Sequence, residues 1–271
     1  MQPLTWLYVP GDRPERFAKA AASGADVVLV DLEDAVAPAD KDRARDAVAE
    51  YLAGPLDGPP VHVRVNAGDR LAADVHALAG LPGLAGLRLP KVESTDELDA
   101  LVPLLPDGLR LWPLLESARG LSEMDRIAAH PRVGGIGLGE QDLISALGIT
   151  SVPALDHLRL RAVLAAATAG LPAPPMSVHP DVRDDDGLRD TTRHGRGLGM
   201  FGRSVIHPRQ IPVVREAFAP TAAERDRARA IVDAAGATTS GAIALDDGTF
   251  VDAPIVERAL RVLDLDARLA G

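Results

Sequence analysis

Eight short apolar runs, at residues 4–9, 27–32, 61–65, 87–92, 109–115, 133–138, 176–178 and 204–206, are spaced along the chain like strands. Most are separated by Ala-rich amphipathic stretches of helical length, such as 13–23, 41–52, 72–79, 96–105 and 155–169. Strand and helix alternating eight times predict an α/β fold, a modified TIM (β/α)8 barrel rather than a doubly wound open sheet. The run at 176–178 is the weakest strand, because Pro174 and Pro175 crowd its start. Past His207-Pro208 the pattern changes to helical stretches at 211–218, 222–235 and 255–269, with a Gly-containing segment at 236–248. Residues 1–219 are therefore expected to form the catalytic barrel. Residues 220–271 form an extra C-terminal helical arm, packed on its own barrel or reaching a neighbouring subunit.

The 271 residues, 46% of them hydrophobic, suffice for one large core. A formal net charge of −10 argues against a general nucleic-acid or anionic-membrane surface, so any polyanionic ligand needs specific Arg and Lys side chains. The absence of Cys excludes disulfides, thiolate catalysis and thiolate metal sites. No apolar run reaches the ~18 residues of a membrane span, and residues 1–10 lack a signal-peptide pattern, so a cytoplasmic protein is expected.

Chemistry concentrates where the apolar runs end. The run 109–115 delivers Glu116, and 133–138 leads through a Gly-rich turn to Asp142. In a parallel barrel both acids fall at the carboxyl edge of the sheet, where such enzymes work. Two carboxylates there suit Mg²⁺, a hard cation that keeps several waters; helix capping is the other use of acids in that position. Asp31, Glu33 and Asp34 crowd three acids into four residues, which calls for a metal with its bound waters or for arginines such as Arg64 or Arg88 among them. Arg64 alternates with Val63 and Val65; it either grips a ligand carboxylate at the barrel mouth or pairs structurally with Glu33 or Glu116. Lys91 ends the fourth run, where a Schiff-base role competes with metal chemistry. The stretch GGIGLGEQD lacks the spacing of a phosphate or dinucleotide loop; Gly139 and the N–H groups after it are candidate oxyanion donors. Near the N-terminus, Arg13, Arg16 and Lys19 follow a Pro-Gly turn and suit an anion, or are ordinary surface charge. His179 and His207 precede Pro and read as loop-positioning residues.

The segments PGDRPERF, VLVDLEDAV, VRVN, LPKVES, LLESARG, GEQDL, IHPRQI and DDGTFVDAP occur in an order that resembles the citrate lyase beta-subunit-like proteins of the HpcH/HpaI aldolase group, related to malyl-CoA and citramalyl-CoA lyases. The resemblance runs from residue 4 to about 259. It implies a Mg²⁺-dependent carbon–carbon lyase, trimeric or hexameric, that reversibly cleaves a citryl-, malyl- or citramalyl-CoA-like 3-hydroxyacyl-CoA. The products are an acyl-CoA and a 2-oxo acid such as oxaloacetate, glyoxylate or pyruvate. By matching positions it implies Glu116 and Asp142 as metal ligands, with Glu33 and Asp34 around the metal waters. Arg64 then binds the 2-oxo acid, Tyr8, Arg13 and Lys19 meet coenzyme A, and Asp252 acts as acid/base in a neighbouring subunit's site. Residues 139–143 read Gly-Glu-Gln-Asp-Leu where the family commonly has Gly-Ala-Glu-Asp-Leu, which changes charge behind the metal. Two other roles share these motifs. One is a metal-dependent aldolase on free 2-oxo acids, whose His base would stand where this chain has Asp31–Asp34; the other is the beta subunit of a multi-subunit citrate lyase assembly.

Overall fold

A computed structural model describes residues 2–237, 242–245 and 248–270. Seven parallel strands form one sheet: β1 (Thr5–Pro10), β2 (Val27–Asp31), β3 (Val61–Arg64), β4 (Leu84–Leu89), β5 (Arg110–Leu115), β6 (Gly137–Leu138) and β7 (Arg203–Val205). Their order is β6-β5-β4-β3-β2-β1-β7. The run at 176–178 adds no full strand, but it joins the two free edges. Met176 bridges Arg203 in parallel, and Ser177 Oγ donates to the Leu138 carbonyl at 2.7 Å. The sheet is thereby curled into a barrel, with the prolines before Met176 limiting its seventh position to a bridge.

Strand β2 is buried along its whole length, as expected where a parallel strand is covered on both faces. The helix Lys41–Leu52 keeps the boundaries read from its apolar spacing and buries Ala44, Val48 and Leu52, whereas the stretch read at 155–169 starts three residues earlier, as Val152–Thr168, and buries Leu155, Leu158 and Ala162. The stretch after Glu116 is not one continuous helix. It breaks into Ala118–Ser122 and Met124–Ala128, and Ser117 caps the first through Gly120 N at 3.1 Å.

The barrel floor is aromatic. Trp6 lies 5.2 Å from His62 and 5.0 Å from Trp112 between ring centroids, and His62 lies 5.4 Å from Trp112. Neighbouring glycines make room: a Cβ on Gly86 of the adjacent β4 would stand 2.6 Å from the His62 ring, and one on Gly135, in the loop before β6, would overlap Trp112. Both tryptophans of the chain thus sit under the site. Burial, aided by the positive charge of Arg88, pushes the His62 pKa down to about 3, so its imidazole is neutral in the folded protein.

The chain divides into two compact units after Val214. In the second, helices Ala222–Gly236 and Ala253–Ala270 pack on Val251 and Ala259 with Ala228 and Ile231. A capping box between Thr221 and Glu224 starts the first helix. An antiparallel hairpin, β8 (Ala242–Ala244) and β9 (Phe250–Asp252), lies between the helices in sequence. The purely helical pattern of the sequence did not announce it. Among the described residues no helix is long and apolar enough to cross a membrane.

Candidate metal centre and substrate cavity

The carboxyl ends of the strands surround a cavity of about 460 Å³, and its lining includes Tyr8, Arg64, Arg88, Glu116, Gly139 and Asp142. Glu116 and Asp142 therefore meet in one site despite their separation in sequence. Glu116 is buried and Asp142 exposed. Glu116 Oε1 accepts the Lys91 N–H at 2.7 Å, which fixes one carboxylate oxygen. The other faces Gly139, where an added Cβ would overlap Oε2. Gly139 is thus required by close approach. Its N–H, however, donates to the Leu115 carbonyl at 3.1 Å, so the expected use of that N–H as an oxyanion donor does not hold. Lys91 presents its N–H from the left-handed backbone region, φ 56°, which costs a non-Gly residue about 1 kcal/mol or more.

Acids crowd the mouth. Asp31 closes its own turn by accepting Glu33 N at 2.9 Å and Ala35 N at 3.0 Å. Lys41 Nζ clamps the same turn through the carbonyls of Leu32 and Glu33. Arg64 sits among the three acids, with Nε on Asp31 Oδ1 at 2.7 Å and Nη2 on Asp31 Oδ2 at 2.6 Å. Its Nη1 is 3.1 Å from both Asp34 and Glu33. Burial opposes the charge of Arg64, but the Asp31 carboxylate outweighs it and holds the pKa above its usual value. The two-point face of Arg64 is therefore spent on Asp31. It offers a ligand charge and its remaining N–H, not the free fork expected from the sequence.

Glu33 lies at ion-pair distance from Arg64 and Lys91, yet neither oxygen is aligned for a hydrogen bond. Burial raises its pKa against the pull of Arg64. Glu116 is pushed up to about 7 by burial, by the negative charge of Glu33 and by that of Asp142. Carboxylates held at this density, with buried oxygens lacking hydrogen bonds, fit a small hard cation. Among the described residues no cluster of three or more ligating side chains is ready-made. Two carboxylates that leave most coordination positions to water and substrate fit Mg²⁺ better than Zn²⁺.

Other expected positions fall elsewhere. Tyr8 lines the cavity with the Arg64 guanidinium 5.2 Å from its ring, whereas Arg13 and Lys19 are exposed and outside the lining. Asp252 belongs to the second unit, where its Oδ1 accepts Ile255 N at 3.3 Å at the start of the terminal helix. His179 and His207 hold loops: His179 meets Asp184 at 3.1 Å, and His207 Nδ1 accepts Arg209 N at 3.1 Å. Glu140, two positions before Asp142, is buried and gripped at both oxygens by Arg159 at 2.8 and 2.7 Å.

Residues 4–208 match the HpcH/HpaI aldolase/citrate lyase family. The chain is 40% identical over 268 residues to a citrate lyase subunit beta-like protein of Mycobacterium tuberculosis, covering 95% of this chain and 93% of that one. It is 38% identical over 226 residues to a (3S)-malyl-CoA thioesterase of Cereibacter sphaeroides, covering 80% and 78%. A solved structure of the protein CitE from Mycobacterium tuberculosis, in complex with magnesium, acetoacetate and coenzyme A, superimposes with a TM-score of 0.85 at 38% identity over 98% of each chain. Given a strand-end acid pair at the mouth of a parallel barrel and a match over most of its length, this chain belongs to the HpcH/HpaI aldolase/citrate lyase family.

Proposed function

We propose that the protein is a Mg²⁺-dependent carbon–carbon lyase that reversibly cleaves a 3-hydroxyacyl-CoA into an acyl-CoA and a 2-oxo acid. The observation that carries it is the meeting of Glu116 and Asp142 in a cavity that also holds Arg64. Glu116 and Asp142 are the metal ligands in this reading, with Glu33 and Asp34 around the metal's waters. Bound Mg²⁺ supplies Lewis-acid polarisation of the 2-oxo acid carbonyl and neutralises charge that develops on it. Arg64, held rigid by Asp31, adds fixed positive charge on the same side. Lys91 N–H keeps Glu116 from rotating. Cleavage begins when a base takes the substrate hydroxyl proton, and the thioester enolate released is then protonated; Asp252, contributed by a neighbouring subunit of a trimer or hexamer, exchanges both protons. Tyr8 is the cavity's contact for the coenzyme A thioester, with Arg13 and Lys19 outside for its phosphates.

The test is turnover with Mg²⁺ of acetyl-CoA or propionyl-CoA with oxaloacetate, glyoxylate or pyruvate, preceded by thermal-shift screening of the same compounds. Condensation that disappears in both Glu116→Ala and Asp142→Ala supports the assignment; unchanged activity in either defeats it. Hydrolysis of the thioester without condensation would move the protein to the activity named for its Cereibacter relative.

A further inference from the structure

Arg88 is the second guanidinium of the cavity, and its situation is unlike that of Arg64. The two are paired in register on β3 and β4 and both line the cavity. Arg88 is only 3% exposed. Its Nε has no hydrogen-bond partner; the guanidinium hydrogen-bonds the Tyr8 phenol, which burial keeps neutral, and the formal charge beside it is that of Arg64, a like charge. The guanidinium lies 5.1 Å from the Trp6 ring centroid, over the aromatic floor. Stacking on indole offsets part of the desolvation of a cation but supplies no counter-charge. A buried arginine without a carboxylate is costly in a folded chain unless a ligand brings the negative charge. Gly137, two strands along on β6, borders the guanidinium: a Cβ there would press on Leu114 at 2.9 Å and lie in ordinary contact, 3.7 Å, with Arg88 Nη1.

We propose that Arg88 receives a second carboxylate of the substrate, so that the preferred 2-oxo acid is a dicarboxylic one. This rests on the lyase reading above and narrows it. The 2-oxo acid's own carboxylate and carbonyl stay at the acid-rich mouth, and the remote carboxylate points down to the fork of Arg88. Glyoxylate and pyruvate have no group to put there and leave the guanidinium uncompensated.

The experiment has two arms. In condensation with a fixed acyl-CoA, Arg88→Met lowers kcat/KM for oxaloacetate relative to glyoxylate by roughly 10- to 100-fold, mostly through KM. Arg88→Lys, which keeps charge but loses the fork, falls between Arg88→Met and the parent. Equal loss on both acids, or unchanged selectivity, overturns the proposal. The second arm needs no turnover. The chain's two tryptophans both lie in the floor, so malonate added to the metal-free protein changes their emission saturably, acetate does so far more weakly, and Arg88→Met abolishes the malonate response. A parent protein silent to malonate, or an Arg88→Met variant that still responds, overturns the site. A malonate response lost with Arg88 in a protein without lyase turnover upholds the anion site and counts against the lyase reading alone.

Discussion

The mouth and the floor of the same cavity solve opposite electrostatic problems. At the mouth Asp31, Glu33, Asp34, Glu116 and Asp142 outnumber the cations Arg64, Lys91 and Lys41, and burial together with the negative charge of Glu33 and Asp142 raises the pKa of Glu116. At the floor the sign reverses: His62 is held neutral and Arg88 is buried without a carboxylate. A site with surplus negative charge above and uncompensated positive charge below is shaped for a cation and an anion together. That pairing is what a metal-chelated oxo acid with a second carboxylate brings.

The contrast is broken most strongly at the mouth. Glu116→Ala or Asp142→Ala should lower Mg²⁺-dependent kcat/KM by ~10³-fold or more, measured at saturating Mg²⁺. Gly139→Ala should push the Glu116 carboxylate aside and weaken Mg²⁺ binding about 10- to 100-fold in a calorimetric titration, with the fold intact.

Stability separates the two arginines. Arg64→Met strands Asp31 and Glu33 and should cost about 3–5 kcal/mol in denaturant unfolding. Arg88→Met removes a buried cation that has no carboxylate, along with its hydrogen bond to Tyr8, and should cost at most about 1 kcal/mol. An equal loss of stability in both would mean that the arginines share a structural role.

His62 gives the floor a pH signature. Its folded pKa of about 3 lies below the ordinary 6.5, so between those values the unfolded chain binds the extra proton. The stability it permits is complete above pH 6.5 and declines by up to about 1.4 kcal/mol per pH unit as pH falls toward 3. His62→Phe should flatten that part of the profile. A profile unchanged by the substitution would place the acid sensitivity elsewhere. The smallest effect is expected at Lys91. Lys91→Gly relieves the left-handed strain while losing the Glu33 ion pair, so stability should move within about 1 kcal/mol. Activity should survive, because the backbone N–H to Glu116 remains; its abolition would restore the Schiff-base role.

Much of this was legible in the chain. The apolar runs at 4–9, 27–32, 61–65 and 109–115 became β1, β2, β3 and β5, because short apolar segments between helical stretches have few other ways to bury themselves. Glu116 and Asp142 could be placed at one edge because parallel strands end there together. The partner of Arg64 could not be assigned, since Asp31, Glu33 and Glu116 all lie at strand ends and only geometry selects among them. Arg88 carried a readable signal: it alternates with Leu87 and Leu89 as Arg64 does with Val63 and Val65, but nothing in sequence shows that a buried arginine lacks its counter-ion. The hairpin β8–β9 lay hidden because its strands are only three residues each.

The central claim is that Glu116 and Asp142 hold one divalent cation. Crystals soaked with Mn²⁺ and oxaloacetate test it by anomalous scattering. One peak per chain between those two carboxylates, absent from Asp142→Ala crystals, is the expected result; a peak elsewhere, or one that survives the substitution, would contradict it.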